Sequence, residues 1–129
     1  MRPLAYAGLI MATASTALPT WADQKSIVGH WTSQGDSVVV SIATCKAQAD
    51  QLCAVVAKEV LEPGDTSLLG QVAVDAIAPK GPGKWSGRYT LDGANLEATL
   101  RLASPDRLTV TVCVAPLMCE TSRYRRVSF

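Results

Sequence analysis

From Ile27 onward the chain reads as a series of short runs in which apolar and polar positions alternate with a period of two. Asn95–Leu102 is the cleanest: Leu96, Ala98, Leu100 and Leu102 point one way, while Glu97, Thr99 and Arg101 point the other. Arg107–Val114 repeats the pattern, with Leu108, Val110, Val112 and Val114 predicted to face inward. Lys84–Leu91 puts Trp85, Gly87 and Tyr89 on one face and Lys84, Ser86 and Arg88 on the other. Further β-type runs cover Ile27–Ser33, Ser37–Cys45, Leu52–Val60, Leu68–Ile77 and Glu120–Ser128. β-Branched residues enrich them, and turn residues separate them. The turn signals are Gly35-Asp36, Glu62-Pro63-Gly64-Asp65, Asp92-Gly93 and Ser104-Pro105-Asp106. Two prolines and two glycines mark Ala78–Gly83 as an irregular loop.

About eight short strands with close connections and no amphipathic helix predict an all-β fold. One-sided alternation is the mark of an antiparallel sheet with one packed and one wet face. Closing the sheet removes its exposed edges. The expectation is therefore a small antiparallel up-and-down β-barrel of about eight strands.

The first residues follow a different pattern. Arg2 precedes an apolar run from Leu4 to Leu18, and small residues lead to Ala22, just before Asp23. A charged start, an apolar middle and a small residue at the cut form the pattern of a secretory signal peptide. Thr13, Ser15 and Thr16 interrupt the run, which is weak for a membrane span of about 20 apolar residues. Residues 1–22 are read as the signal and 23–129 as a single domain, periplasmic or secreted, with no stable membrane span in the mature form. Removing the signal takes away Arg2 and no acid. The twelve basic and eleven acidic side chains of the whole chain then balance to zero. A neutral domain has no general attraction for nucleic acid. The local cluster Arg123, Arg125 and Arg126 is read as a solvated last strand.

Cys45, Cys53, Cys113 and Cys119 are an even set in an exported chain, which points to disulfides. Three pairings are open. The two local ones, Cys45–Cys53 and Cys113–Cys119, are favoured because each brackets a predicted hairpin loop. Zinc ligands usually stand two to four residues apart, which fits neither pair.

Candidate chemistry is sparse. His30 is the lone histidine, so neither a Cys–His pair nor a His-rich metal site can be assembled. Asp36, Asp92, Glu97 and Asp106 read as turn or surface carboxylates. No catalytic, metal or cofactor constellation is recognised, and the chain is read as a non-catalytic protein. Trp85 and Tyr89 share a face and either line a small ligand cavity or fill the core of a small barrel. The apolar loop Ala115-Pro116-Leu117-Met118 lies between two cysteines, so Leu117 and Met118 are candidates for a partner contact.

Several of these residues together resemble a bacterial exported family described as domain of unknown function 2147, whose members are lipocalin-like. The resemblance rests on Gly29-His30-Trp31, Gly35-Asp36 before the Val-rich strand and Cys45, Leu52-Cys53, Leu69-Gly70 and Trp85-Ser86-Gly87. Near the end it continues with Leu108, Cys113, Leu117, Cys119 and Arg126-Val127. Ala54 replaces a glycine of the family pattern, Tyr124 replaces its tryptophan, and its longer acidic turn is cut to Leu91-Asp92-Gly93. The resemblance implies that Trp31 closes one end of the barrel with Arg126 lying across it as a structural plug. The barrel architecture, with an interior that Trp85 and Tyr89 could line, leads by analogy to the expectation of a small, mostly apolar ligand bound in the cell envelope. The alternative is a fully packed barrel that contacts an envelope protein through its loops.

Overall fold

The structure is a computed structural model and describes residues 26–33, 35, 37–91 and 93–128, with nothing said of the side chain of Leu91. The predicted signal segment, the predicted cleavage point and the turn residues Asp36 and Asp92 lie outside the described residues.

Eight strands follow one another: β1 (Gly29–Ser33), β2 (Val38–Thr44), β3 (Leu52–Glu59), β4 (Val72–Gly81), β5 (Lys84–Leu91), β6 (Ala94–Ser104), β7 (Arg107–Ala115) and β8 (Met118–Val127). Each pairs antiparallel with its neighbour in sequence, and β8 returns to pair with β1, closing the barrel. The expected fold class is what the chain forms. The alternation in β6 sets its register: Ala98 and Leu100 are buried and Leu96 and Leu102 half-buried, while Glu97 and Arg101 are exposed.

Both local disulfides are present, Cys45–Cys53 across the β2–β3 connection and Cys113–Cys119 between directly opposed residues of β7 and β8. Disulfides of this kind persist in oxidising compartments outside the cytoplasm.

One predicted boundary moves. In place of a strand over Leu68–Ile77 and an irregular Ala78–Gly83, β4 runs from Val72 through Gly81, and residues 68–71 form a turn closed by the Gln71 N–H on the Leu68 carbonyl. The register explains how Pro79 is tolerated. β3 ends its pairing with β4 at Leu52↔Ile77, so a proline beyond that point interrupts no ladder with β3. A β-bulge between Asp75 and Ala78 places Ala76 at φ +54°, a left-handed conformation that costs an L-residue about 1 kcal/mol. Gly87 sits opposite this bulge. A Cβ there would lie 2.7 Å from Val74 Cγ1 and 2.9 Å from Ile77 Cγ1, so the missing side chain lets β4 pack across β5.

The up-and-down order gives the barrel two unlike ends. One holds the start of β1, the Cys45–Cys53 loop, the β4–β5 and β6–β7 turns and the end of β8. The core is concentrated there, with Ile27, Trp31, Leu52, Ile77, Trp85, Leu100 and Leu108 all buried. The other end holds the β3–β4 loop and the β7–β8 hairpin, and there the interior opens.

Candidate ligand cavity

The floor of the interior is built around Trp31. Its indole Nε1–H donates to the Ile27 carbonyl at 2.9 Å. The Arg126 guanidinium lies over the ring, 4.3 Å from the ring centroid. The same guanidinium donates to three backbone carbonyls: Ser26 at 2.7 Å, Val28 at 2.9 Å and Pro105 at 3.0 Å. It therefore ties the segment entering β1 to the β6–β7 turn while covering the indole. The planar fork of arginine allows this, because its donors diverge in one plane. Gly29 makes the approach possible. Its φ of +145° disfavours a side chain, and a Cβ would stand 2.7 Å from Arg126 Nη1. The Gly-x-Trp triplet and the terminal arginine thus meet as one closure.

Above this floor is a cavity of about 680 Å³, within the range of about 300–1,000 Å³ usual for small-molecule sites. Its apolar wall comes from almost every strand and includes Val40, Ile42, Val74, Leu96, Leu100 and Val110. Short side chains leave the room: Ala54 and Ala73 line it where larger residues would close it. Tyr89 lines the cavity. Trp85 does not; it is buried in the packed end, opposite Pro79 and Leu100. The two aromatics share a strand face, but only one looks into open space.

Leu117 and Met118 stand at the mouth, 97% and 65% exposed, and both also line the cavity. The exposed Val60, Leu61, Leu68, Leu69, Val72 and Val114 belong to the same end, so the rim is apolar. The β3–β4 loop is ordered by Glu59, whose carboxylate accepts from the Ser67 hydroxyl and, at 2.9 Å, from the Leu68 N–H. Those bonds, led by the one from Ser67, hold its pKa below the ordinary glutamate value.

One wall differs from the rest. On β8 the inward positions are Glu120, Ser122 and Tyr124, all cavity-lining, followed by Arg126 at the floor. Burial and the nearby Tyr89 phenol raise the Tyr124 pKa above that of an ordinary tyrosine. Both phenols line the same largely apolar space. Among the described residues, neither hydroxyl has a hydrogen-bond partner. This polar stripe was not singled out from the sequence. Its signal was the alternation in Glu120–Arg126, masked there by exposed arginines at 123 and 125.

These features define the chain as a closed eight-stranded antiparallel barrel with a packed, plugged end and an open apolar interior. Comparisons with protein-family models, with curated proteins and with solved structures find no match.

Proposed function

We propose that this protein binds a small, mostly apolar molecule inside its barrel, as an exported, non-catalytic protein of the cell envelope, periplasmic or secreted. The observation that carries the reading is the cavity of about 680 Å³ itself. Eight-stranded barrels either fill their interior with side chains or hold one small ligand. Here the upper half is left unfilled. An apolar space that side chains leave unfilled lacks the dispersion contacts of a packed core, and an apolar guest supplies them. The resemblance to the lipocalin-like exported family supports the same reading, as does the pair of disulfides. The test is native mass spectrometry of the protein purified without denaturation. A reproducible extra mass released on unfolding identifies the ligand. The bare disulfide-bonded mass, together with no uptake of added alkyl probes, contradicts the reading.

A second reading has an observation of its own. Leu117 and Met118 form an exposed apolar hairpin tip held by Cys113–Cys119, which suits contact with an envelope protein. Changing Leu117 and Met118 to serine separates the two. Loss of a partner with ligand uptake intact favours the second.

A further inference from the structure

We infer that the cavity selects a ligand with a cationic amine at one end and an extended apolar body, the amine being held by Glu120. The inference rests on the ligand-binding reading above and adds to it the chemistry of the ligand.

Side chains alternate between the two faces of β8. Glu120, Ser122 and Tyr124 take successive inward positions and line the cavity, whereas Thr121 faces outward to exchange a hydroxyl hydrogen bond with Thr111 at 2.9 Å. Glu120 is exposed at the mouth yet lines the cavity, so its carboxylate stays hydrated while facing the apolar interior. Among the described residues Glu120 has no ion pair and no hydrogen bond. The arginine on the same face, Arg126, is engaged with Trp31 and three carbonyls at the floor. Six residues of extended strand, about 20 Å, separate it from Glu120.

The mouth end carries the same sign. Glu59, Glu62 and Asp65 lie on or beside the β3–β4 loop, with Lys58 as its nearby basic residue. Most basic side chains sit at or toward the plugged end: Lys46, Lys80, Lys84, Arg101, Arg107 and Arg125. A cation is thus attracted to the mouth and a carboxylate is repelled there. Among the described residues Met118–Arg123 have no strand partner on the β1 side, where β1 pairs with Tyr124–Val127. Glu120 and Ser122 are both exposed, so a polar head group can stay partly hydrated there.

Depth fixes the length. Tyr124 is four residues from Glu120, about 13 Å along the strand. An amine at Glu120 leaves an apolar body of roughly that length to descend past Val112 and Val110 to the level of the Tyr89 and Tyr124 hydroxyls. A linear chain of about ten to twelve carbons spans this distance.

The experiment titrates the full disulfide-bonded protein with dodecylamine, dodecanol and dodecanoic acid below their aggregation concentrations. Isothermal calorimetry is the readout, at neutral pH and at low and high salt. The expected result is that dodecylamine binds about fivefold more tightly than dodecanol, and dodecanoic acid more weakly than both. The preference shrinks in high salt and disappears in Glu120→Gln, read as the ratio of dodecylamine to dodecanol affinity falling to about one. Equal affinity for amine and alcohol, or preference for the acid, overturns the amine inference while leaving the cavity reading intact. Binding of none of the three overturns both. A melting temperature for Glu120→Gln within the error of the parent shows that the variant is folded. If it is lower, Glu120→Ser serves as the second variant, with the same expected loss of preference.

Discussion

Arg126 is the perturbation whose consequence can be worked out most fully. Truncation in Arg126→Ala removes the guanidinium from the Trp31 face, a contact worth about 0.5–2 kcal/mol. It also removes three hydrogen bonds to backbone carbonyls, each contributing on the order of 0.5–1 kcal/mol where water can take the donor's place. The Asp106 carboxylate, 3.9 Å away and largely exposed, adds little. The total is about 3 kcal/mol, which for a domain of this size lowers the melting temperature by about 12–20 °C. Arg126→Lys keeps the charge but not the planar fork, and recovers less than half of the loss. Gly29→Ala acts on the same closure by driving a Cβ to within 2.7 Å of Nη1. Its cost should therefore fall to the strain of a positive φ alone, about 1 kcal/mol, once Arg126 is already alanine. Thermal melts of the four proteins of this cycle, followed by circular dichroism with the disulfides intact, test the argument. A melting temperature for Arg126→Ala within about 2 °C of the parent, or strictly additive costs for the two substitutions, would refute the plug.

The remaining predictions concern the bulge, the cavity, the tyrosine pair and the mouth disulfide. Ala76→Gly relieves the left-handed conformation and should raise stability by about 0.5–1 kcal/mol in denaturant melts. Gly87→Ala should lower it by about 1–3 kcal/mol, since Val74 and Ile77 stand where the new methyl must go. Val112→Phe should fill part of the cavity and reduce uptake of alkyl probes at least tenfold, with the melting temperature little changed. Because the Tyr124 pKa is raised in the fold, its contribution to stability is complete below the ordinary phenol range. It is lost as pH rises from that range through the higher folded value. Stability should therefore fall across this alkaline window, and Tyr124→Phe should remove that part of the fall, as read by denaturant melts at stepped pH. Cys119 is exposed whereas Cys45 is buried, so a mild reductant should open Cys113–Cys119 first, as mapped by alkylation and mass spectrometry.

Much of the barrel was legible in the sequence because burial on one face imposes a period of two. The inward sets of β5, β6 and β7 could be read directly, and the local disulfides follow from cysteines that bracket hairpins. The end of β4 was not legible, because Pro and Gly ordinarily mark loops. Pro79 is accommodated only because β3 has already stopped, and no local pattern reports that. The cavity was legible only in part. Trp85 and Tyr89 share a face, but which of them meets open space depends on how near each lies to the plugged end, a matter of register across several strands. The inward set Glu120, Ser122 and Tyr124 was not legible, because two of the three are polar and Arg123 and Arg125 alternate with them, so no apolar period marks the strand.

The central claim, that the barrel interior receives a small apolar ligand, is tested most directly by methyl-labelled NMR during a titration with dodecanol. The account predicts saturable shifts in the methyl groups of Val40, Leu96, Val110 and Val112, with those of Val28 at the plugged end unmoved. Shifts confined to Leu117 and Met118 at the hairpin tip, or no saturable shifts at all, would contradict it.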